Sequence, residues 1–200
     1  MKPKYIIPLV FLFAYHIIRY VFTGLLYSIS YLDIFFDVCF VGLIYLYFKK
    51  KPYFNFQFNY FKKEILGHFL MGSLLFAIAK YFQMIMPMSL QESGMFILFV
   101  LVAPITEELL FRYSFSVLLK EFPLKPIYRM LIISLLFSWM HFFIYFYVSP
   151  LMKSFVLYQS IYAFFMGFWW HYRFEKSNNL VEVIILHMVF SLGFWLTSFA

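Results

Sequence analysis

Residues 94–118 read GMFILFVLVAPITEELLFRYSFSVL, and the fold turns on how this run is understood. Its length matches the roughly 20 apolar residues that a membrane-spanning helix needs, yet Glu107, Glu108 and Arg112 sit in its middle. A charge at the centre of a membrane helix costs at least about 2.5–3.5 kcal/mol on insertion scales, so charges kept there mark a functional site by default. Glu108 and Arg112 stand four residues apart, which puts opposite charges on one helical face where they neutralise each other. Glu107 lies about 100° further round the helix and has no partner close in sequence. Burial beside a second carboxylate suits it to take a proton from water. The structural alternative is that the three charges only hold helices together.

The rest of the chain has the same character. Of its 200 residues 64% are hydrophobic and 12% charged, against about 45–50% and about 25% in a soluble domain. The 31 Phe and 17 Tyr suit lipid-facing helices and the aromatic belts at membrane interfaces. Six further apolar runs lie at about 5–27, 31–48, 65–86, 128–148, 151–172 and 180–199. They are separated by turn signals such as Lys51-Pro52, Met86-Pro87, Phe122-Pro123, Ser149-Pro150 and Ser177-Asn178-Asn179. The expected architecture is an all-α, polytopic transmembrane helical bundle of about seven spans, a single domain over residues 1–200. The first run is too long for a signal peptide and lacks a small-x-small cleavage pattern, so it reads as a retained span.

The formal net charge is +7, but no basic face or arm is gathered for nucleic acid, and that partner is excluded. The basic residues instead occupy alternate connections. One set holds Lys2 and Lys4, then Lys49, Lys50, Lys51, Lys62 and Lys63, then Lys120, Lys125 and Arg129, then Arg173 and Lys176; the other holds Lys153. Cytoplasmic connections carry the Lys and Arg excess, which predicts a cytoplasmic N-terminus, an external C-terminus and a multi-pass protein of the plasma membrane. The lone Cys39 rules out an intramolecular disulfide and a Cys-based metal site. The stretch Tyr53 to Phe61 alternates aromatic and polar residues, as either a surface helix on the cytoplasmic interface or an irregular loop does.

Two histidines lie inside other runs: His141 in FSWMH (137–141) and His187 in HMVFS (187–191). At about 1.5 Å per residue from the basic connections, Glu107, Glu108 and His141 lie about 15–20 Å deep and His187 about 12 Å deep, so three spans bring them to one level. The site is therefore expected towards the cytoplasmic half of the bilayer, with substrate entering from the lipid or the cytoplasmic face. A lone membrane histidine is as often a helix-to-helix hydrogen bond; alongside two carboxylates at matching depth it becomes a site candidate.

Glu107-Glu108-x-x-x-Arg112, Phe137-x-x-x-His141 and His187-x-x-x-Ser191 resemble, in order and interval, the three motifs of the CPBP intramembrane proteases, the CAAX-protease and bacteriocin-processing (Abi) family. Gly167, Glu175, Asn178 and Asn179 lead into the third motif in the family's manner, and the resemblance covers about residues 94–195. It implies an intramembrane endopeptidase in which Glu107 activates water, His141 assists it, His187 stabilises the oxyanion, and Glu108 with Arg112 forms an orienting pair. Substrates implied are prenylated CAAX ends or bacteriocin and signalling-peptide precursors, including a role in self-immunity. The chain departs from the pattern at Ser191, where many members carry Asn; a hydroxyl still donates one hydrogen bond, from the same face as His187, with a shorter reach.

Glu107, His141 and His187 are also the set that would hold zinc if one were used. No H-E-x-x-H pair lies on a single helix, and the spacing favours a metal-free glutamate mechanism without a cofactor. His16, Arg19, Asp33, Asp37, His68 and Lys80 fall in or beside apolar runs and read as snorkelling or cross-helix pairs. Trp169, Trp170 and Tyr172, with His171 and Arg173, read as an interfacial anchor. Two other functions compete: a non-catalytic membrane immunity or partner protein that keeps the fold, and a small proton-coupled carrier. The carrier reading lacks the duplicated halves with broken helices that carriers show.

Overall fold

The computed structural model describes residues 5–28, 32–52, 54, 61–92 and 94–199, and among these every regular element is helical. Lys2 and Lys4, and residues 53 and 55–60 of the aromatic stretch, lie outside the described residues. Seven long helices follow one another: α1 (Ile6–Ser28), α2 (Leu32–Phe48), α3 (Phe61–Tyr81), α4 (97–120), α5 (Pro126–Phe143), α6 (Lys153–Ser177) and α7 (Leu180–Thr197). Single 3-10 turns at Ile144–Phe146 and Pro150–Met152 join α5 to α6. Each helix falls within a few residues of an expected apolar run.

Lys63–Tyr81, Pro126–Phe146 and Leu180–Thr197 are long and apolar enough to cross a membrane, with mean hydropathies of 1.2, 1.7 and 1.9. Their exteriors, like those of the other helices, carry large exposed apolar side chains such as Leu66, Leu135, Ile161 and Phe165, as lipid-facing surfaces do. This is a membrane protein. α4, with Glu107, Glu108 and Arg112 within it and Lys120 at its end, and α6, rich in Tyr and Trp with Trp170 and His171 turned inward, are less uniformly apolar.

α4 is not a uniform helix. Two α-helical pieces, Ala103–Glu108 and Ser116–Lys120, alternate with wide π turns at Ile97–Val102 and Leu109–Phe115. Pro104 has no N–H to give, which breaks the regular ladder at this point. The Thr106 hydroxyl donates to the carbonyls of Val102 and Ala103, both at 3.1 Å, and the Ser114 hydroxyl to that of Leu109 at 3.2 Å. Hydroxyls thus satisfy backbone that lipid cannot. π turns gather at functional sites, and here they bracket Glu107 and Glu108.

α3 lies along α7, and α5 along α6. The first pair approaches closely because its contacts are glycines: a Cβ on Gly72 would run into the carbonyl of Phe190, and one on Gly193 into that of Phe69. Ser73 adds a hydrogen bond to the Gly193 carbonyl at 3.1 Å. Close small-residue contacts are how helices associate where no hydrophobic effect drives them.

The two ends of the bundle differ. At one end Lys50 pairs with Glu121 (2.5 Å), Arg129 with Glu175 (3.2 Å) and Arg173 with Glu64 (2.8 Å) and Glu182, tying four helices and the α2–α3, α4–α5 and α6–α7 connections together. Asn178, left-handed at φ 50°, ends α6, and Asn179 caps α7 by accepting from Val181 N at 3.2 Å. The opposite end is apolar, with Leu90, Ala79, Phe155 and Phe194 buried together and Trp195 donating to the Leu90 carbonyl at 3.1 Å. Because α3 ends at Tyr81, not near residue 86 as the apolar run suggests, exposed Lys80 joins Lys153 at this second end.

Candidate active site

Glu107, His141, His187 and Ser191 all line one cavity of about 240 Å³. α4 supplies Glu107, α5 supplies His141, and α7 supplies both His187 and, one turn on, Ser191. Trp170 of α6 and Phe137 of α5 form its floor, both almost fully buried.

A chain of contacts fixes the histidine of α7. Its Nδ1–H donates to Glu108 Oε1 at 2.8 Å. Glu108 Oε2 lies 2.9 Å from Arg112 Nε, an ion pair with both side chains wholly buried and without the straight geometry of a hydrogen bond. Arg112 Nη2 donates to the Gly167 carbonyl at 3.2 Å, and the guanidinium lies over the rings of Phe137 (4.9 Å) and Trp170 (5.5 Å). Trp170 in turn stacks on His187, ring centres 4.0 Å apart at 26°. Gly167 is needed for this packing, since a Cβ there would meet the Phe137 ring at 2.9 Å. Buried charges persist only when paired and hydrogen-bonded, and here the pairing also aims an imidazole.

With Nδ1 committed to Glu108, Nε2 is the nitrogen of His187 that faces the cavity. It stands 3.8 Å from Glu107 Oε2, too far for a direct hydrogen bond and close enough for a shared partner. Glu107 keeps about a sixth of its side chain exposed, at 17%, whereas Glu108 keeps none. The two adjacent glutamates are thereby separated into a carboxylate that faces the cavity and one locked in the core. His141 shares the cavity with its ring edge-on to Phe137 at 4.9 Å, but neither of its nitrogens comes within ion-pair distance of Glu107. Ser191 is buried on the cavity wall.

No group of three His, Cys, Asp or Glu side chains among the described residues is placed to hold a metal ion. Glu107, His141 and His187 do not converge on one point, as the ligands of a zinc centre must.

Three features depart from the sequence reading. Trp170 and His171 are not interfacial: both are buried, at 1% and 0%, while Trp169 and Tyr172 face outward. On this helical turn the middle two residues of Trp169-Trp170-His171-Tyr172 point inward and the outer two outward, and Trp170 belongs to the site. Arg19, Asp33 and Asp37 also line the cavity. Arg19 pairs with Asp37 across helices, with the Tyr15 hydroxyl donating to Asp37 at 2.8 Å and accepting from Arg19 at 2.9 Å. The signal for this cluster was three ionisable residues in two consecutive apolar runs. Finally, the cavity extends from His187 towards the apolar end of the bundle, not towards the basic connections.

A family model described as Rce1-like, type II CAAX prenyl endopeptidase, matches residues 89–193, slightly more than half of the chain. No curated protein and no solved structure matches.

Proposed function

Because the chain belongs to the Rce1-like, type II CAAX prenyl endopeptidase family, a family of proteases, we propose that it is an intramembrane endopeptidase working by glutamate-activated water. The observation that carries this reading is the meeting of Glu107, His141, His187 and Ser191 on one cavity within a membrane bundle.

Water is held between Glu107 and His141. Glu107 takes one proton from it as the water oxygen bonds to the carbonyl carbon of the scissile amide. Negative charge passes to the carbonyl oxygen, where the Ser191 hydroxyl donates to it, joined by Nε2 of His187 when that nitrogen carries a proton. Collapse of the intermediate breaks the carbon–nitrogen bond, and Glu107 returns its proton to the leaving amine. A new carboxyl end and a new amino end result.

The substrate is a membrane-associated protein of CAAX type or a peptide precursor such as a bacteriocin. All seven helices cross the plasma membrane, with the N-terminus and the basic connections in the cytoplasm, since Lys and Arg gather at that end. Cleavage of candidate precursor peptides by the purified protein in detergent tests the reading; no cleavage of any membrane-associated or prenylated peptide, with the protein folded, contradicts it.

A further inference from the structure

We infer that α6 carries the edge that grips the substrate's backbone: the side-chain amide of Gln159 and the hydroxyl of Tyr162 hydrogen-bond the peptide groups flanking the scissile bond. The word substrate rests on the endopeptidase reading; the two binding groups follow from which polar side chains on the cavity wall lack a partner inside the protein.

Most polar side chains on the wall are engaged within the protein or have a part in the hydrolysis. Arg19 and Asp37 pair with each other, and Asp33 accepts from the Ile34 N–H at 2.8 Å. The Thr106 hydroxyl donates to its own helix, and His187 is held by Glu108. The indole N–H of Trp170 is sealed in the core. Glu107, His141 and Ser191 serve the chemistry. Gln159 and Tyr162 remain: both line the cavity, both are half-buried, and among the described residues neither side chain has a hydrogen-bond partner. Lipid offers none to either, and a buried tyrosine hydroxyl ordinarily finds one. Tyr158, one turn earlier on the same helix, does so, donating to the Leu75 carbonyl at 2.8 Å.

Their placement suits an extended peptide lying beside the catalytic groups. Gln159, Tyr162, Met166 and Trp170 recur at intervals of three and four, so one face of α6 runs along the cavity from Trp170, stacked on His187, to Gln159. The Tyr162 ring is held against Phe190, with ring centres 6.1 Å apart, and against Phe194 at 6.3 Å. Phe190 is the chain neighbour of Ser191, which sets Tyr162 at the oxyanion end of the site, within electrostatic reach of Glu107. Gln159 follows one turn further on. The wall beside them is apolar, with Met95 and Phe99 packed on the same cluster as Tyr162. Such a wall receives side chains, but it has nothing to give the N–H and C=O groups of a peptide, which need partners once they leave water. Tyr162 offers a donor, and Gln159 offers two donors and an acceptor. The backbone is thereby held whatever side chains it carries.

The test reads binding in full-length Glu107→Gln protein in detergent, with a fluorescent, prenylated peptide that ends in a CAAX sequence. Adding Tyr162→Phe or Gln159→Met to this parent is expected to raise Kd about 3–10-fold, the worth of one neutral hydrogen bond. The thermal unfolding midpoint without peptide is expected to stay the same or rise, since neither group bonds anything in the protein alone. Peptides in which one backbone amide at a time is replaced by an ester locate the contacts: an ester that weakens binding to the parent is expected to cost nothing further in the variant that lacks its partner. An unchanged Kd in either variant, or ester penalties identical in parent and variants at every position, overturns the inference. So does a lowered unfolding midpoint, which gives the side chains a structural role, and so does a parent that binds no peptide. Cleavage of the same peptide by wild type, measured separately, shows whether the endopeptidase reading stands when the binding edge fails.

Discussion

His187 Nδ1 and Glu108 Oε1 meet at 2.8 Å although 79 positions separate them in the chain. The contact ties the third motif to the first and leaves only Nε2 of the histidine facing the cavity. Glu108 in turn is held by Arg112, so one carboxylate both orients the imidazole and neutralises a guanidinium.

Removing Arg112 alone strands Glu108 as an unpaired charge in the core. Arg112→Met is expected to destabilise the protein by about 3–5 kcal/mol, the usual cost of breaking a buried pair from one side. Thermal unfolding in detergent measures it. The double variant Glu108→Gln/Arg112→Met is expected to recover much of that loss, because no charge is left without a partner; a double variant as unstable as Arg112→Met shows that packing, and not charge, sets the cost.

Trp170 stacks on His187 and fills the cavity floor. Trp170→Ala is expected to cost about 3–5 kcal/mol, as large-to-small changes in cores do. Trp170→Phe keeps an aromatic face against the imidazole and is expected to retain most of the stability. Equal losses in both variants would mean that volume at this site matters less than the indole itself.

Ser191 is the departure from the family's third motif, and its role as oxyanion donor is open to a direct check. Removing one such donor costs about 10²–10³-fold in kcat; Ser191→Ala is expected to fall at or below the lower end of that range, because the hydroxyl is short. Ser191→Asn restores the longer donor and is expected to match or exceed wild type. An unchanged kcat in Ser191→Ala removes Ser191 from the mechanism.

Metal dependence follows from the donor set. Three ligands do not converge, so a strong chelator is expected to leave cleavage unchanged after prolonged incubation. Loss of activity on chelation, restored by adding zinc, would mean that the side chains rearrange around an ion.

Much of this was legible in the sequence because lipid makes polar groups conspicuous. The seven helices follow apolar runs whose limits are set by Pro, Asn and Lys clusters, and Glu107, Glu108, Arg112, His141 and His187 stood out as costly residues in the middle of such runs. Two kinds of information were hidden. Trp170 could not be told from Trp169 because adjacent residues on a helix point to different faces, and only the packing of α6 against α5 and α7 decides which turns inward. The direction in which the cavity extends was hidden for a related reason: depth along each helix follows from residue spacing, but which end of the bundle packs shut depends on how Phe111 and Phe115 of α4 interlock with Ile133 of α5. The sequence leaves Arg19 and Asp37 between snorkelling and cross-helix pairing, and they pair with each other; their place on the cavity wall needed three dimensions.

The most direct measurement is the rate at which purified wild type and Glu107→Gln cleave the same precursor peptide in detergent, with unfolding curves confirming that both are folded. Glu107→Gln preserves size and removes the base, and the expected result is a loss of at least about 10²-fold, the contribution of a positioned general base. A Glu107→Gln protein that cleaves at the wild-type rate contradicts the glutamate mechanism.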